Sequence, residues 1–193
     1  IQIKKSLIYK RGNMKNGNEL NQLLPGQPLR VGVDLIADKH SGALIVIGTS
    51  NKLDKISSGG INLIDCSYSP EMLSELSKMD GAIIVSGDVT KILKANVHLN
   101  PSDSLSTSQT GTRHRTAERT AEETDLTVIT VSEESSLVKV FNNSGTTELE
   151  EPSVILGRVN ESLQSVDRMR RRFDDAVAEL SLIHISEPTR LQD

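Results

Sequence analysis

Two short, wholly apolar runs constrain this chain more than anything else in it: Ala43 to Ile47 (ALIVI) and Ala82 to Val85 (AIIV). Each ends at a glycine-containing bend, Gly48 after the first and Ser86-Gly87 after the second. A run of this length without polar alternation reads as a strand covered on both faces. The chain must therefore supply helices to cover a sheet.

The remaining pattern supplies them. After the turn at Pro25 to Pro28, the apolar residues Leu29, Val33, Leu35, Ile36 and Ala37 follow helical spacing and end near Lys39-His40, a cationic end that suits the helix dipole. Pro70 to Met79 predicts a helix capped by Ser69, with Met72, Leu73, Leu76 and Met79 as its stripe. Asn62 to Cys66 is ambiguous. Ile92 to His98 predicts the antiparallel partner of Ala82 to Val85, turning at Gly87-Asp88. A polar Ser- and Thr-rich loop, Asn100 to Gly111, leads to a helix over Thr112 to Thr124. Strands are predicted at Leu126 to Val131, Leu137 to Phe141 and Thr146 to Leu149, the last two joined by the turn Asn142 to Gly145. The expected fold is α/β: a mixed, largely antiparallel central sheet flanked by helices, followed by one long C-terminal helix.

That last helix starts at Pro152. Its apolar residues Leu156, Val159, Leu163, Val166, Met169, Phe173, Val177 and Leu180 fall close to a heptad seam. Such a stripe is expected to pack against a partner helix. Arg168, Arg170, Arg171 and Arg172 on the same helix read either as a DNA contact or as a solvated or subunit-facing surface, and Asp174 and Asp175 directly after them favour the second.

Composition removes several function classes. A formal net charge of -4 does not coat nucleic acid by bulk attraction, so a polyanion must be met by a local patch. Two Tyr, two Phe and no Trp leave no aromatic platform for stacked bases. No apolar run approaches the roughly 18 residues of a membrane span. One cysteine, Cys66, forms no intrachain disulfide, and with four His makes a structural zinc site improbable. A cytoplasmic, reducing setting without membrane contact is expected.

The ends differ from the middle. Residues 1–13 read either as a loosely ordered arm or as sequence upstream of a start at Met14. Residues 14–150 are expected to form the domain and 151–180 the start of a helical spine. The string LSLIHISEPTR (Leu180 to Arg190) resembles the conceptual translation of a sequencing-library adapter, so 181–193 is expected to be non-native and His184 to have no role.

Chemistry concentrates at two places. Asp80-Gly81-Ala82 puts a carboxylate at the edge of a buried strand, beside a glycine that lets a ligand or backbone come close. Taken alone, Asp-Gly is usually a turn. The second place is Gly111 to Arg119 (GTRHRTAER). Thr112, Arg113, His114, Arg115 and Thr116 open a helix whose dipole favours negative charge there. A bound polyanion would reverse the mismatch: each charge-assisted hydrogen bond contributes about 1.5–3 kcal/mol, against about 0.3–1 kcal/mol of dipole penalty. The alternative is a solvated helix laced by Arg115–Glu118 and Arg119–Glu123 pairs, which leaves Arg113 unpaired.

KMDGA (Lys78 to Ala82) and GTRHRTAER together resemble the signature of diadenylate cyclase domains, and most closely those of the DNA integrity scanning protein family. SGALIVIG (Ser41 to Gly48), ANVHL (Ala95 to Leu99), Val131-Ser132 and VILGRVNESLQSVDRMRRRFDDA (Val154 to Ala176) match as well. The resemblance implies a nucleotidyltransferase that condenses two ATP into cyclic di-AMP and releases two pyrophosphates with Mg²⁺ or Mn²⁺. By matching position it implies Asp80 at the metal and the attacking ribose hydroxyl, and Gly81 and Leu99, beside Ala82, bordering the adenine. It implies Thr112, Arg113, His114 and Arg115, next to Thr116, on the phosphates, joined by Ser132 of a neighbouring strand. The catalytic set is then Asp80, Arg113, His114 and Arg115. The resemblance further implies a face-to-face dimer for turnover, an octamer in full-length members, and DNA binding only through a C-terminal module absent here. Glu133-Glu134 departs from the pattern, because some members carry basic residues there; the two carboxylates face solvent or help to hold metal. The alternative function is a fragment that binds ATP or cyclic di-AMP without turnover.

Overall fold

The computed structural model describes residues 21–186. The expectation for residues 1–13 and the last residues of the expected non-native tail lie outside that range. The described chain divides into a unit ending at Leu149 and a second beginning at Glu150.

In the first unit the elements run α1 (Pro28–Asp38), β1 (Ala43–Ile47), α2 (Asn51–Ile56), β2 (Ser57–Ser58), β3 (Ile61–Asn62), α3 (Pro70–Leu76), β4 (Ala82–Val85), β5 (Ile92–Leu99), α4 (Thr112–Thr124), β6 (Thr127–Val131), β7 (Val138–Asn142) and β8 (Gly145–Leu149). The sheet order is β2-β5-β4-β1-β6-β7-β8, with β3 also on β5. Only β1 and β4 pair in parallel, Ile45 opposite Ile83; the other pairings are antiparallel. The fold is the expected mixed, largely antiparallel α/β sheet with helices on its faces.

The two apolar runs lie side by side in the middle of the sheet, and every residue of both is buried. Their side chains alternate between two cores. Ala43, Ile45, Ile47, Ile83 and Val85 pack with Leu29, Val33 and Ile36 of α1 and Leu73 of α3. Leu44, Val46, Ala82 and Ile84 pack with Leu53 of α2 and Ala117 and Ala121 of α4. Helices on both faces are what a strand without polar alternation requires.

Several boundaries differ from the sequence reading. The helix predicted to Met79 ends at Leu76, capped as expected by the Ser69 hydroxyl, which accepts from the Met72 N–H at 3.1 Å. Met72 and Met79 are exposed, so the stripe reduces to Leu73 with Leu76. The ambiguous Asn62 to Cys66 holds only the end of β3, then turns with Asp65 left-handed. Helix α2 and strand β2 were not foreseen: they are too short for periodicity to register, and Ser50 caps α2 through the Leu53 N–H at 3.1 Å.

The second unit is α5 (Pro152–Ser186), the expected long helix, which continues into the segment expected to be non-native. Its stripe, including Leu156, Leu163, Met169 and Phe173, is exposed. Arg170 lies 3.9 Å from Asp174, an ion pair that fits the solvated reading of this arginine cluster.

Candidate functional site

Strands β4 and β5 and the start of α4 enclose an open cleft of about 320 Å³. Asp80, Gly81 and Ala82 line one side, Val97, His98 and Leu99 of β5 continue the wall, Leu44 of β1 adds to the apolar surface, and Thr112, Arg113 and Thr116 come from α4. Two motifs thirty residues apart in sequence thus share one concavity.

The Asp80-Gly81 edge is fixed from β5. Asn96 is left-handed, at φ 55°, within a register shift between β4 and β5. Its side-chain oxygen accepts from the Gly81 N–H at 3.1 Å. A Cβ on Gly81 would lie 2.3 Å from the Asn96 carbonyl carbon and 2.6 Å from the Val97 nitrogen. Gly81 is therefore glycine because backbone, not ligand, approaches it. Asp80 is exposed just before this clamp.

Helix α4 begins uncapped. Gly111 precedes it at φ 88° with no side-chain cap, and the first turn holds no acid. Its free amides and positive dipole end are an anion-binding element. The arginines behave differently from the alternative set out above. Glu118 is occupied by the Ser/Thr loop: it accepts from the Thr107 hydroxyl and, at 3.2 Å, from the Ser108 N–H. Glu123 accepts from the Ser102 N–H at 2.8 Å. Arg119 turns to the same loop, 2.6 Å from Asp103 and 2.9 Å from the Leu105 carbonyl. The Arg115–Glu118 and Arg119–Glu123 pairs are not formed, because the loop takes both acids. Among the described residues, the guanidinium groups of Arg113 and Arg115 have no hydrogen-bond or ion-pair partner, while the Arg115 backbone N–H donates to the Gly111 carbonyl at 3.1 Å.

The geometry separates the expected site residues. Asp80, Gly81, Ala82, Leu99, Thr112, Arg113 and Thr116 line the cleft; His114, Arg115 and Ser132 do not. Arg115 is exposed on the first turn of α4. His114 lies edge-on to Phe141 of β7, ring centroids 6.4 Å apart. Burial pushes its imidazole below the usual histidine range, and the charges of Lys139 and Arg113 push the same way. His114 is thus held neutral near pH 7, a hydrogen-bonding group rather than a cation. The Ser132 hydroxyl accepts from the Ser135 N–H at 3.3 Å within its own turn. Glu133 and Glu134 are exposed on that turn.

Four participants escaped the sequence reading. Leu44, Val97 and His98 line the cleft. Gly42 lies directly beneath the Arg113 guanidinium, where a Cβ would stand 2.2 Å from Nη1. The alternation of β5 could have pointed to His98; nothing local marks Gly42, whose partner is seventy residues away.

Among the described residues no group of three or more His, Cys, Asp or Glu is placed to hold a metal. The cleft offers one carboxylate, Asp80. That donor suits an ion such as Mg²⁺, which takes one or two carboxylates and completes its shell with water and substrate phosphates. No helix among the described residues is long and apolar enough to cross a membrane.

Comparison with known proteins gives a consistent set. Residues 30–146 match the family described as DAC, DisA bacterial checkpoint controller nucleotide-binding. The chain is 43% identical over 171 residues to the DNA integrity scanning protein DisA of Kineococcus radiotolerans, covering 89% of this chain and 47% of that protein. It is 41% identical over 174 residues to DisA of Clostridium tetani (90% and 48%) and 44% identical over 164 residues to DisA of Fusobacterium nucleatum (83% and 47%). The chain spans about half the length of the curated relatives it matches. Among solved structures, a double mutant of DacA from Staphylococcus aureus superposes with a TM-score of 0.52 at 29% identity, over 69% of this chain and 93% of that one.

Proposed function

The chain belongs to the DAC family of DisA bacterial checkpoint controller nucleotide-binding domains, and from that premise we propose that its cleft condenses two ATP molecules into cyclic di-AMP with release of two pyrophosphates. The observation that carries the reading is the meeting of the Asp80 carboxylate, the unpaired Arg113 guanidinium and the uncapped start of α4 in one concavity. The adenine packs between aliphatic side chains, Leu44, Val97 and Leu99, in a chain with almost no aromatics. The phosphates meet Thr112, Arg113 and the first-turn amides of α4. Arg115, on the same turn, and Ser132, at the end of β6, serve phosphate oxygens that extend beyond the cleft. Neutral His114 supplies a hydrogen bond.

The step itself is phosphoryl transfer, which needs alignment and charge neutralisation more than covalent help from the protein. The 3′-oxygen of one ATP bonds to the α-phosphorus of the other, the bond to the β-phosphate bridge breaks, and pyrophosphate leaves with that electron pair. Asp80 lies beside the attacking hydroxyl and takes up its proton. A Mg²⁺ or Mn²⁺ ion held by Asp80 together with the substrate phosphates supplies further charge neutralisation when bound. Because the described residues bring Asp80 and Arg113 together in one such cleft and the product has two-fold symmetry, two chains face each other during turnover.

Incubating the chain with ATP and Mn²⁺ and weighing the products by mass spectrometry tests this. Cyclic di-AMP is expected, with a rate per chain that rises with protein concentration and disappears in Asp80→Asn. A second reading is that the cleft binds nucleotide but the facing dimer does not form. Bound ATP without product at every protein concentration favours that reading. Absence of ATP binding refutes both.

A further inference from the structure

We propose that Gly42 is a positioning residue: its bare Cα is the seat on which the Arg113 guanidinium lies, and this seat aims Arg113 into the cleft. The inference rests on the phosphate-binding reading of that cleft. Arg113 has no carboxylate or hydrogen-bond partner among the described residues, so no ion pair fixes its long side chain. Contact fixes it instead. A Cβ on Gly42 would stand 2.2 Å from Arg113 Nη1, 2.7 Å from Cζ and 2.9 Å from Nη2. The whole planar group thus covers the space that a side chain at residue 42 would need.

This glycine is not required by the backbone. Gly42 is outside the left-handed region, unlike Gly48 and Gly111. The three nearest atoms all belong to the far end of one flexible side chain. An alanine at residue 42 is therefore accommodated by the fold, provided that Arg113 swings away. Gly42 stands just before β1, whose Leu44 lines the same cleft as Arg113. An arginine held without an ion pair keeps its five donors for a ligand, and the flat seat removes rotamer freedom that binding would otherwise have to remove.

The test is a double-mutant cycle read by the affinity of α,β-methylene ATP, with melting temperature measured in parallel. Gly42→Ala is expected to weaken the analogue about 10- to 150-fold, the range for losing one charge-assisted contact. Its melting temperature should stay within about 2 °C of wild type, as for a substitution away from the packed core. In an Arg113→Ala background the same change should have no further effect, and in Arg113→Lys, whose ammonium has no planar fork, little. Wild-type affinity in Gly42→Ala overturns the proposal. So does a loss that persists undiminished in Arg113→Ala, since a purely structural glycine adds its effect in any background. Should Arg113→Ala itself bind the analogue normally, the phosphate-binding reading fails and this inference with it; should Arg113→Ala bind poorly and Gly42→Ala well, only the inference fails.

Discussion

Gly81→Ala separates two reasons for the glycine in the Asp-Gly-Ala edge. A methyl added there would meet the backbone of β5: 2.3 Å to the Asn96 carbonyl carbon, 2.5 Å to its Cα and 2.6 Å to the Val97 nitrogen, where ordinary contact begins at 3.4 Å. Backbone in a paired strand cannot rotate aside. Either β4 and β5 part by about 1 Å at this rung or the left-handed turn at Asn96 rebuilds, and overpacking of this kind costs about 1–3 kcal/mol. Parting the strands also strains the 3.1 Å bond from the Gly81 N–H to the Asn96 side chain, worth about 1 kcal/mol. The sum is about 2–4 kcal/mol, or a melting temperature lower by about 6–15 °C for a domain of this size. Thermal unfolding followed by circular dichroism gives the number, and α,β-methylene ATP affinity below the transition gives the second readout. A Gly81→Ala protein that melts like wild type but no longer binds nucleotide would refute the reasoning, because it would mean that ligand, not strand, occupies the space.

Two further outcomes follow from the site. Glu118→Ala removes the acceptor of Thr107 and Ser108, so the loop between β5 and α4 should be nicked by subtilisin near Leu105 several-fold faster, with a melting temperature changed by no more than a few degrees; an unchanged digestion rate would show that Arg119 and Glu123 hold the loop without Glu118. His114 has its folded-state proton affinity lowered by burial and by Lys139 and Arg113. The unfolded chain then binds the proton more readily, so stability is full above the ordinary histidine value, about pH 6.5, and falls as the pH drops below it. The melting temperature of His114→Gln should fall less than that of wild type between about pH 7 and pH 5.5; parallel curves would show that His114 is as free to charge in the fold as outside it.

How far the sequence carried the reading depended on the range of each interaction. The central strands were legible because burial on both faces leaves a run with no polar residue, Ala43 to Ile47 and Ala82 to Val85. The long helix was legible from its 3- and 4-residue steps. The Ser69 cap was legible because capping acts over three residues. What could not be read was set by partners distant in sequence. Glu118 and Glu123 stand at helical spacing from Arg115 and Arg119, so local rules paired them; the loop from Asn100 to Gly111 took both acids instead. Met72 and Met79 fit the helical stripe but are exposed: α3 buries Leu73 instead, and it ends at Leu76, before Met79 is reached. His114 was grouped with the flanking arginines in sequence, while the fold half-buries its ring against Phe141 and lowers its proton affinity, by burial first and then by the charges of Lys139 and Arg113. The two motifs were matched as a pair by resemblance, while their shared cleft is a product of the β4–β5 pairing and of α4 lying across that face of the sheet.

The claim on which the rest depends is that the Asp80–Arg113 cleft is a cradle for a nucleotide's phosphates. Titration calorimetry of α,β-methylene ATP into the wild-type chain and into Arg113→Ala tests it directly. The loss of one charge-assisted contact, about 1.5–3 kcal/mol, predicts a dissociation constant raised about 10- to 150-fold, with adenosine, which has no phosphate, binding both proteins alike. Equal affinity of the two proteins for the analogue would contradict the account.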